Sequence, residues 1–182
     1  TDIMMNVADN FNIPYNIIDP DNPDSIGINP FTFDDPLKTA IAISSVLKSM
    51  YYTTHTDVEE AFRNNVTSQA IENLSILLKV MYPKLNNGDL PNLTDMLEML
   101  TDFDLVEEMA RKMEYDEELS VKYKLQLAYF KKNFYKTGSG RPDTEKFVYS
   151  AVTQLDNLLR NKGVRDILCN RTNNINFDKA LE

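Results

Sequence analysis

The chain of 182 residues has one cysteine, Cys169, and one histidine, His55. A lone cysteine closes no internal disulfide, which suits a reducing compartment. One histidine and one cysteine, far apart in sequence, supply neither a zinc cluster nor a nucleophile–base pair. His55 therefore reads as a loop or capping residue. No apolar run approaches the roughly 20 residues that cross a bilayer, and no stretch reads as a signal peptide. A basic excess is also missing. The net charge of −9 argues against a general nucleic-acid coat, which needs a positive surface. Internal repeats are absent, and so are strong strand patterns after residue 31.

Apolar residues make up 42% of the chain, too many for disorder. The length fits one domain that buries roughly two-thirds of its unfolded surface. The chain runs from Thr1 to Leu181-Glu182. The expectation is that it is a piece of a larger protein.

The organising stretch is Ile17-Ile18-Asp19-Pro20-Asp21-Asn22-Pro23-Asp24-Ser25-Ile26-Gly27-Ile28-Asn29-Pro30-Phe31. Three prolines and a glycine cannot sit inside a helix or a central strand. Proline also pushes the residue before it toward extended geometry. The stretch reads as an extended connector delivering the chain into a helical body. Before it, Phe11, Ile13, Tyr15 and Ile17 alternate with period two, which predicts a short strand near 13–18. Such a strand has no partner in a helical domain and would pair with a sheet elsewhere in a larger protein. The expected division is a connector over 1–34, a helical domain over 35–169 and a return segment over 170–182.

The fold expected is all-α, a bundle of about six to seven helices with a short extended N-terminal segment. Asp34 or Asp35 followed by Pro36 starts a helix that runs to about 52. Leu37, Ala40, Ile41, Ser44, Leu47 and Tyr51 mark its inward face. Thr56-Asp57-Val58-Glu59 has the form of a capping box. The second helix, 57–82, carries a stripe of Val58, Phe62, Val66, Ala70, Leu74, Leu77, Leu78 and Met81, and Pro83 ends it. This is the expected central helix. Residues 83–93 read as a loop. Shorter helices follow over 93–100 and 102–114, with Leu97, Leu100, Phe103, Leu105, Met109 and Met113 inward. Asp116 opens a helix to about Lys136, striped by Leu119, Tyr123, Leu127, Phe130 and Phe134. After the break Thr137–Pro142 comes a helix to about Asn161, with Val148, Ala151, Val152, Leu155, Leu158 and Leu159 inward and Gly163 as its C-terminal cap. A helical turn over 164–168, a polar loop over 170–176 and a short helix over 177–181 finish the chain.

Charge is unevenly placed. Residues 94–119 hold ten acids against two bases, and residues 120–165 hold ten bases against three acids. Three readings stand: helices that attract one another, solvated faces whose interleaved aromatics belong to the core, or surfaces that face partners. The acidic docking candidates are Asp102, Asp104, Glu107 and Glu108. The basic candidates for a partner or for DNA are Lys122, Lys124, Lys131, Lys132, Lys136 and Arg141, with Tyr123, Tyr129 and Tyr135 interleaved. Gly138-Ser139-Gly140-Arg141 lacks the closing Gly-Lys-Ser/Thr of a phosphate loop and follows no strand. It reads as a helix-to-helix turn whose amides could hold a polynucleotide phosphate. Asp19, Asp21 and Asp24 fail as a calcium loop, because the glycine is misplaced and Pro30 takes the twelfth position. Asp102, Asp104, Glu107 and Glu108 could in principle do acid–base work, yet acids are common at the start of an exposed helix. The Asn-X-Ser/Thr triplets at Asn65, Asn73, Asn92 and Asn170 read as chance. No catalytic, cofactor or metal site is expected.

Ile18-Asp19-Pro20, Gly27-Ile28-Asn29-Pro30-Phe31, the helical block, and Val164-Arg165-Asp166-Ile167-Leu168 with Asn176-Phe177-Asp178 together resemble the conjugative type IV secretion ATPases. These include coupling proteins of the TraG/TraD kind and related conjugation ATPases. In that family an Asn-Pro-Phe/Leu segment follows an early strand of the ATPase core, and an all-helical domain is inserted between the two nucleotide-binding motifs. The segment 164–181 resembles the return to the core. Neither nucleotide-binding motif is present in this sequence. The resemblance implies a ring-forming parent motor at the inner face of the cell membrane that uses ATP and Mg. It implies that this domain is cytoplasmic, makes no membrane contact and is not itself an enzyme. Its role would be to receive relaxase, accessory relaxosome proteins or DNA at the mouth of the channel. Two alternatives stand beside it: a structural spacer that contacts neighbouring subunits of the ring, and an acid-dependent hydrolase using Asp104 and Glu107.

Overall fold

The computed structural model describes residues 2–13, 15–22, 25–51 and 58–180. It is all-α among these residues, with ten α-helices and no strand. The helices are α1 (Asp2–Asn10), α2 (Pro36–Tyr51), α3 (Val58–Leu85), α4 (Leu93–Thr101), α5 (Phe103–Tyr115), α6 (Glu117–Lys122), α7 (Lys124–Asn133), α8 (Arg141–Arg160), α9 (Lys162–Leu168) and α10 (Phe177–Ala180). The capping box at Thr56, His55 and Leu181 lie outside the described residues, as do the side chains of Tyr51, Val58 and Phe62.

The expected central helix is central. α3 packs against α2, α4, α5 and α8. Its stripe of Ala70, Leu74, Leu77, Leu78 and Met81 is buried, and Ile71, Ser75 and Ile76 on its other sides are buried too. A helix apolar most of the way round can be covered on several faces at once. Thr67 Oγ1 donates to the Phe147 carbonyl at 3.0 Å, satisfying a polar group inside the α3–α8 seam. Leu119, Tyr123, Leu127, Phe130 and Phe134 are all buried, and Phe103, Phe130 and Phe134 form an aromatic cluster with centroids 4.3 and 5.6 Å apart.

Several local expectations change. The described residues of the expected strand, 13 and 15–18, form no strand, and the helix α1 precedes them. Without a neighbouring strand, period-two alternation has no ladder to join. On α2 the inward face is rotated: Thr39, Ala40, Ile43, Ser44 and Leu47 are buried, whereas Leu37 and Ile41 are 57% and 54% exposed. Pro83 lies inside the last turn of α3. The chain turns instead at Asn87 and Gly88, both with positive φ, and Gly88 N–H returns to the Pro83 carbonyl at 2.8 Å. The expected helix from Asp116 to Lys136 is two helices that meet at Tyr123, where ψ is 28°. Gly163 is no cap. It sits within α9, where a Cβ would overlap the Pro20 carbonyl oxygen, so its missing side chain lets the connector lie on the helix.

Candidate functional site

Two features concentrate polar chemistry, and the first is a clasp between the connector and the return segment. Gly27 and Asn174 form an isolated parallel bridge. Gly27 N–H donates to the Asn173 carbonyl at 2.7 Å, and Ile175 N–H donates to the Gly27 carbonyl at 3.0 Å. Ile28 N–H reaches the Ile167 carbonyl at the end of α9 at 3.0 Å. Asn29 is fully buried at the centre. Its side-chain amide donates to the carbonyls of Pro91 at 2.9 Å and Asn170 at 3.0 Å, and its oxygen accepts from Phe31 N–H at 3.0 Å. Asn29 N–H donates in turn to Asn174 Oδ1 at 3.0 Å. One asparagine thus joins connector, α4 lead-in and return segment. A Cβ on Gly27 would overlap Asn170 and Asn174, which is why glycine stands there.

The clasp continues at both ends. Asn92 caps α4 in a full capping box with Asp95, and Arg171 Nη2 pairs with Asp95 Oδ1 at 3.0 Å. Asp178 accepts from Asp34 N–H at 2.7 Å and pairs with Lys38 at 2.9 Å. Those contacts hold the Asp178 carboxyl below its usual value, the Asp34 amide first and Lys38 second, and Asp178 raises the Lys38 ammonium. Phe33 stacks on Phe177 with centroids 4.8 Å apart. Lys79 donates to the Phe31 carbonyl at 2.7 Å, and burial lowers its pKa.

The second feature is the charged face built from α5, α7 and the α7–α8 turn. Acid and base pair largely with each other. Asp104 pairs with Lys136 at 2.9 Å and Arg141 at 3.2 Å. Glu107 accepts from Lys136 N–H at 2.9 Å and pairs with Arg111 at 2.6 Å. Lys136 holds both carboxyls below their usual range, through its ammonium at Asp104 and its amide at Glu107. Glu108 pairs with Lys112, Lys131 with Glu114, and Arg141 also with Glu145. Asp102 caps α5 through Asp104 N–H at 2.9 Å. Of the basic candidates, Lys122, Lys124 and Lys132 make no ion pair among the described residues. Lys122 lies over the Tyr123 ring at 5.4 Å.

The interleaved tyrosines belong to the core: Tyr123 and Tyr135 are buried and Tyr129 packs on it. They are not free to stack on bases. The turn amides are also committed. Gly138 N–H donates to the Tyr135 carbonyl and Gly140 N–H to the Lys132 carbonyl, at 2.8 and 2.9 Å. A Cβ at Gly138 would overlap the carbonyls of Lys131 and Lys132, so this Gly-Ser-Gly is a tight turn and not a phosphate cradle.

The sequence missed the clasp because its parts are asparagines in loops 141 and 145 residues apart. The visible signals were Asn29 before Pro30, and Asn92 three residues before Asp95. Asn92 is buried as a helix cap, which suits the reading of its triplet as chance. Among the described residues no group of His, Cys, Asp or Glu could hold a metal, and no helix is long and apolar enough to cross a membrane. An apolar hollow of about 420 Å³ lies between α1 and residues 13 and 15–18. None of the described α1 side chains is buried, and Ile3, Met4, Val7 and Phe11 are exposed. No protein-family model, curated protein or solved structure matches the chain.

Proposed function

We propose that this chain is a non-catalytic substrate-recognition domain of a conjugative DNA-transfer ATPase. It would work at the cytoplasmic mouth of a type IV secretion system and receive relaxase, accessory relaxosome proteins or DNA. The parent would use ATP and Mg in a ring. The observation that supports this most is the clasp. The segment resembling the family's Asn-Pro-Phe connector and the segment resembling its return to the core are hydrogen-bonded side by side. A helical body inserted into another domain needs neighbouring incoming and outgoing strands. The uncovered apolar face of α1 also suits a chain that rests on a further body.

The test is binding of the purified chain to relaxase, to accessory relaxosome proteins and to duplex DNA at low salt. Saturable binding to one of them is expected, and binding to none overturns recognition by this domain. A second reading, the structural spacer, draws support from the paired charged face. With Asp104, Glu107, Lys136 and Arg141 occupied by one another, less charge is left for partners. Conjugation with Lys131→Glu and Lys132→Glu together separates the two. Unchanged transfer favours the spacer, and a loss with the fold intact favours recognition.

A further inference from the structure

An apolar hollow lies where α3, α4 and α5 meet, and the chain around it is acidic. From residue 85 to residue 110 there are seven acids and no base. The hollow measures about 170 Å³, close to a cavity that accepts one benzene ring. Its floor is Leu78 of α3, Met99 of α4 and Met109 of α5, all buried. Leu105 and Leu85, the latter 42% exposed, carry the apolar lining out to solvent. The three helices pack on one another, so the hollow is already formed and costs little ordering when filled.

One wall is braced. Arg171 Nη2 pairs with Asp95 Oδ1 at 3.0 Å, and the Arg171 guanidinium lies 5.2 Å from the centre of the Tyr82 ring. Asn86 Nδ2 donates to the Tyr82 carbonyl at 3.0 Å. The rim is charged. Of the lining residues, Asp95, Glu98 and Glu108 are acids and only Lys112 is a base. Glu98 and Glu108 are exposed. Glu98 makes no ion pair among the described residues, and Glu108 pairs there only with Lys112, one turn along its own helix, at 2.7 Å. An exposed pair of this kind contributes little and gives way to a better partner.

An apolar floor inside an acidic rim matches a side chain that fills the floor on a segment whose lysines or arginines meet the rim. A helix offers both, because residues three and four apart share a face, and a groove reads such anchors. Nucleic acid does not fit, since its phosphates would face the acids. We propose that this hollow docks a basic amphipathic helix of a partner protein. One large apolar side chain enters over Met99 and Met109, and flanking lysines or arginines sit against Glu98 and Glu108. Methionine is unbranched and polarisable, so the floor adapts to leucine, methionine or phenylalanine. The proposal stands on the hollow and its charge alone, whichever larger protein the domain serves.

The experiment is titration of the full chain at low salt with a fluorescent helical peptide of alanine and lysine that carries leucine along one face. Saturable one-to-one binding is expected. In a chain with labelled methionine, the methyl signals of Met99 and Met109 should shift. Replacing the peptide's leucines by serine, or its lysines by glutamate, should weaken binding by about tenfold or more. Glu98→Lys with Glu108→Lys in the chain should do the same. Leu85→Ser should weaken it by about threefold or more at an unchanged melting curve. Asp156→Lys with Asp166→Lys makes the same charge change on α8 and α9, which do not line the hollow, and should stay within about twofold. Absence of binding overturns the proposal. So does binding indifferent to the leucines, a bound state with Met99 and Met109 unmoved, or equal loss from the two double reversals. Self-association of the free chain that Leu85→Ser abolishes also overturns it, because a second copy is then the occupant.

Discussion

Asn29 sets how firmly the chain is closed on itself. Its side chain donates to the Pro91 carbonyl, and it also caps Phe31 N–H. Truncation strands these groups in a buried place, so Asn29→Ala should cost about 2–3 kcal/mol in urea unfolding. Asn29→Asp should cost at least as much, because a carboxylate would face the carbonyls of Pro91 and Asn170. Tyr135 predicts the opposite sign. Its hydroxyl is buried with no hydrogen-bond partner among the described residues, and burial pushes its pKa up to about 12. Tyr135→Phe removes an orphan polar atom and keeps the ring under Arg111, 4.7 Å from its centroid. Its urea midpoint should be unchanged or higher.

At the scale of elements, α9 and the connector compete over Gly163. A Gly→Ala change inside a helix usually stabilises by about 1 kcal/mol. Here the added Cβ meets the backbone of Pro20. Gly163→Ala should therefore keep α9 helical and free residues 19–22, read as faster proteolysis in that stretch at unchanged helical content. Much of the helical layout was legible because the stripes were long. Leu74, Leu77 and Leu78 on α3, and Leu119 through Phe134 on α6 and α7, fall at periods that survive small errors of phase. α2 was less legible. Leu37 and Ile41 are as apolar as Ile43, and only the position of α3 decides which arc is covered. The stretch near 13–18 was misread because Ile13, Tyr15 and Ile17 alternate, and alternation makes a strand only where a second strand waits. The charged face was half legible: the split of sign and an attraction between its helices could be read, but not which groups would meet, such as Asp104 with Lys136.

For the whole molecule, acid is the discriminating stress. Asp178, Asp104, Glu107 and Asp116 are each held below the usual carboxylate range, Asp116 chiefly by Lys84 at 2.9 Å. A lowered folded pKa means that the unfolded chain takes up protons first. The stabilisation is complete above the ordinary carboxylate value of about 4 and drains away as pH falls through the lower folded values. The urea midpoint should fall below about pH 4, and Asp178→Asn should make that fall shallower. Molar salt should weaken the same exposed pairs at neutral pH.

Because residues 27 and 174 are bonded neighbours, the body between them behaves as a bead on a closed loop. Spliced into the tight surface hairpin of an unrelated host, it would not pry the host's strands apart. A fluorescent barrel that carries it there should still mature and glow, whereas the same graft with Asn29→Ala should strain the barrel and dim it.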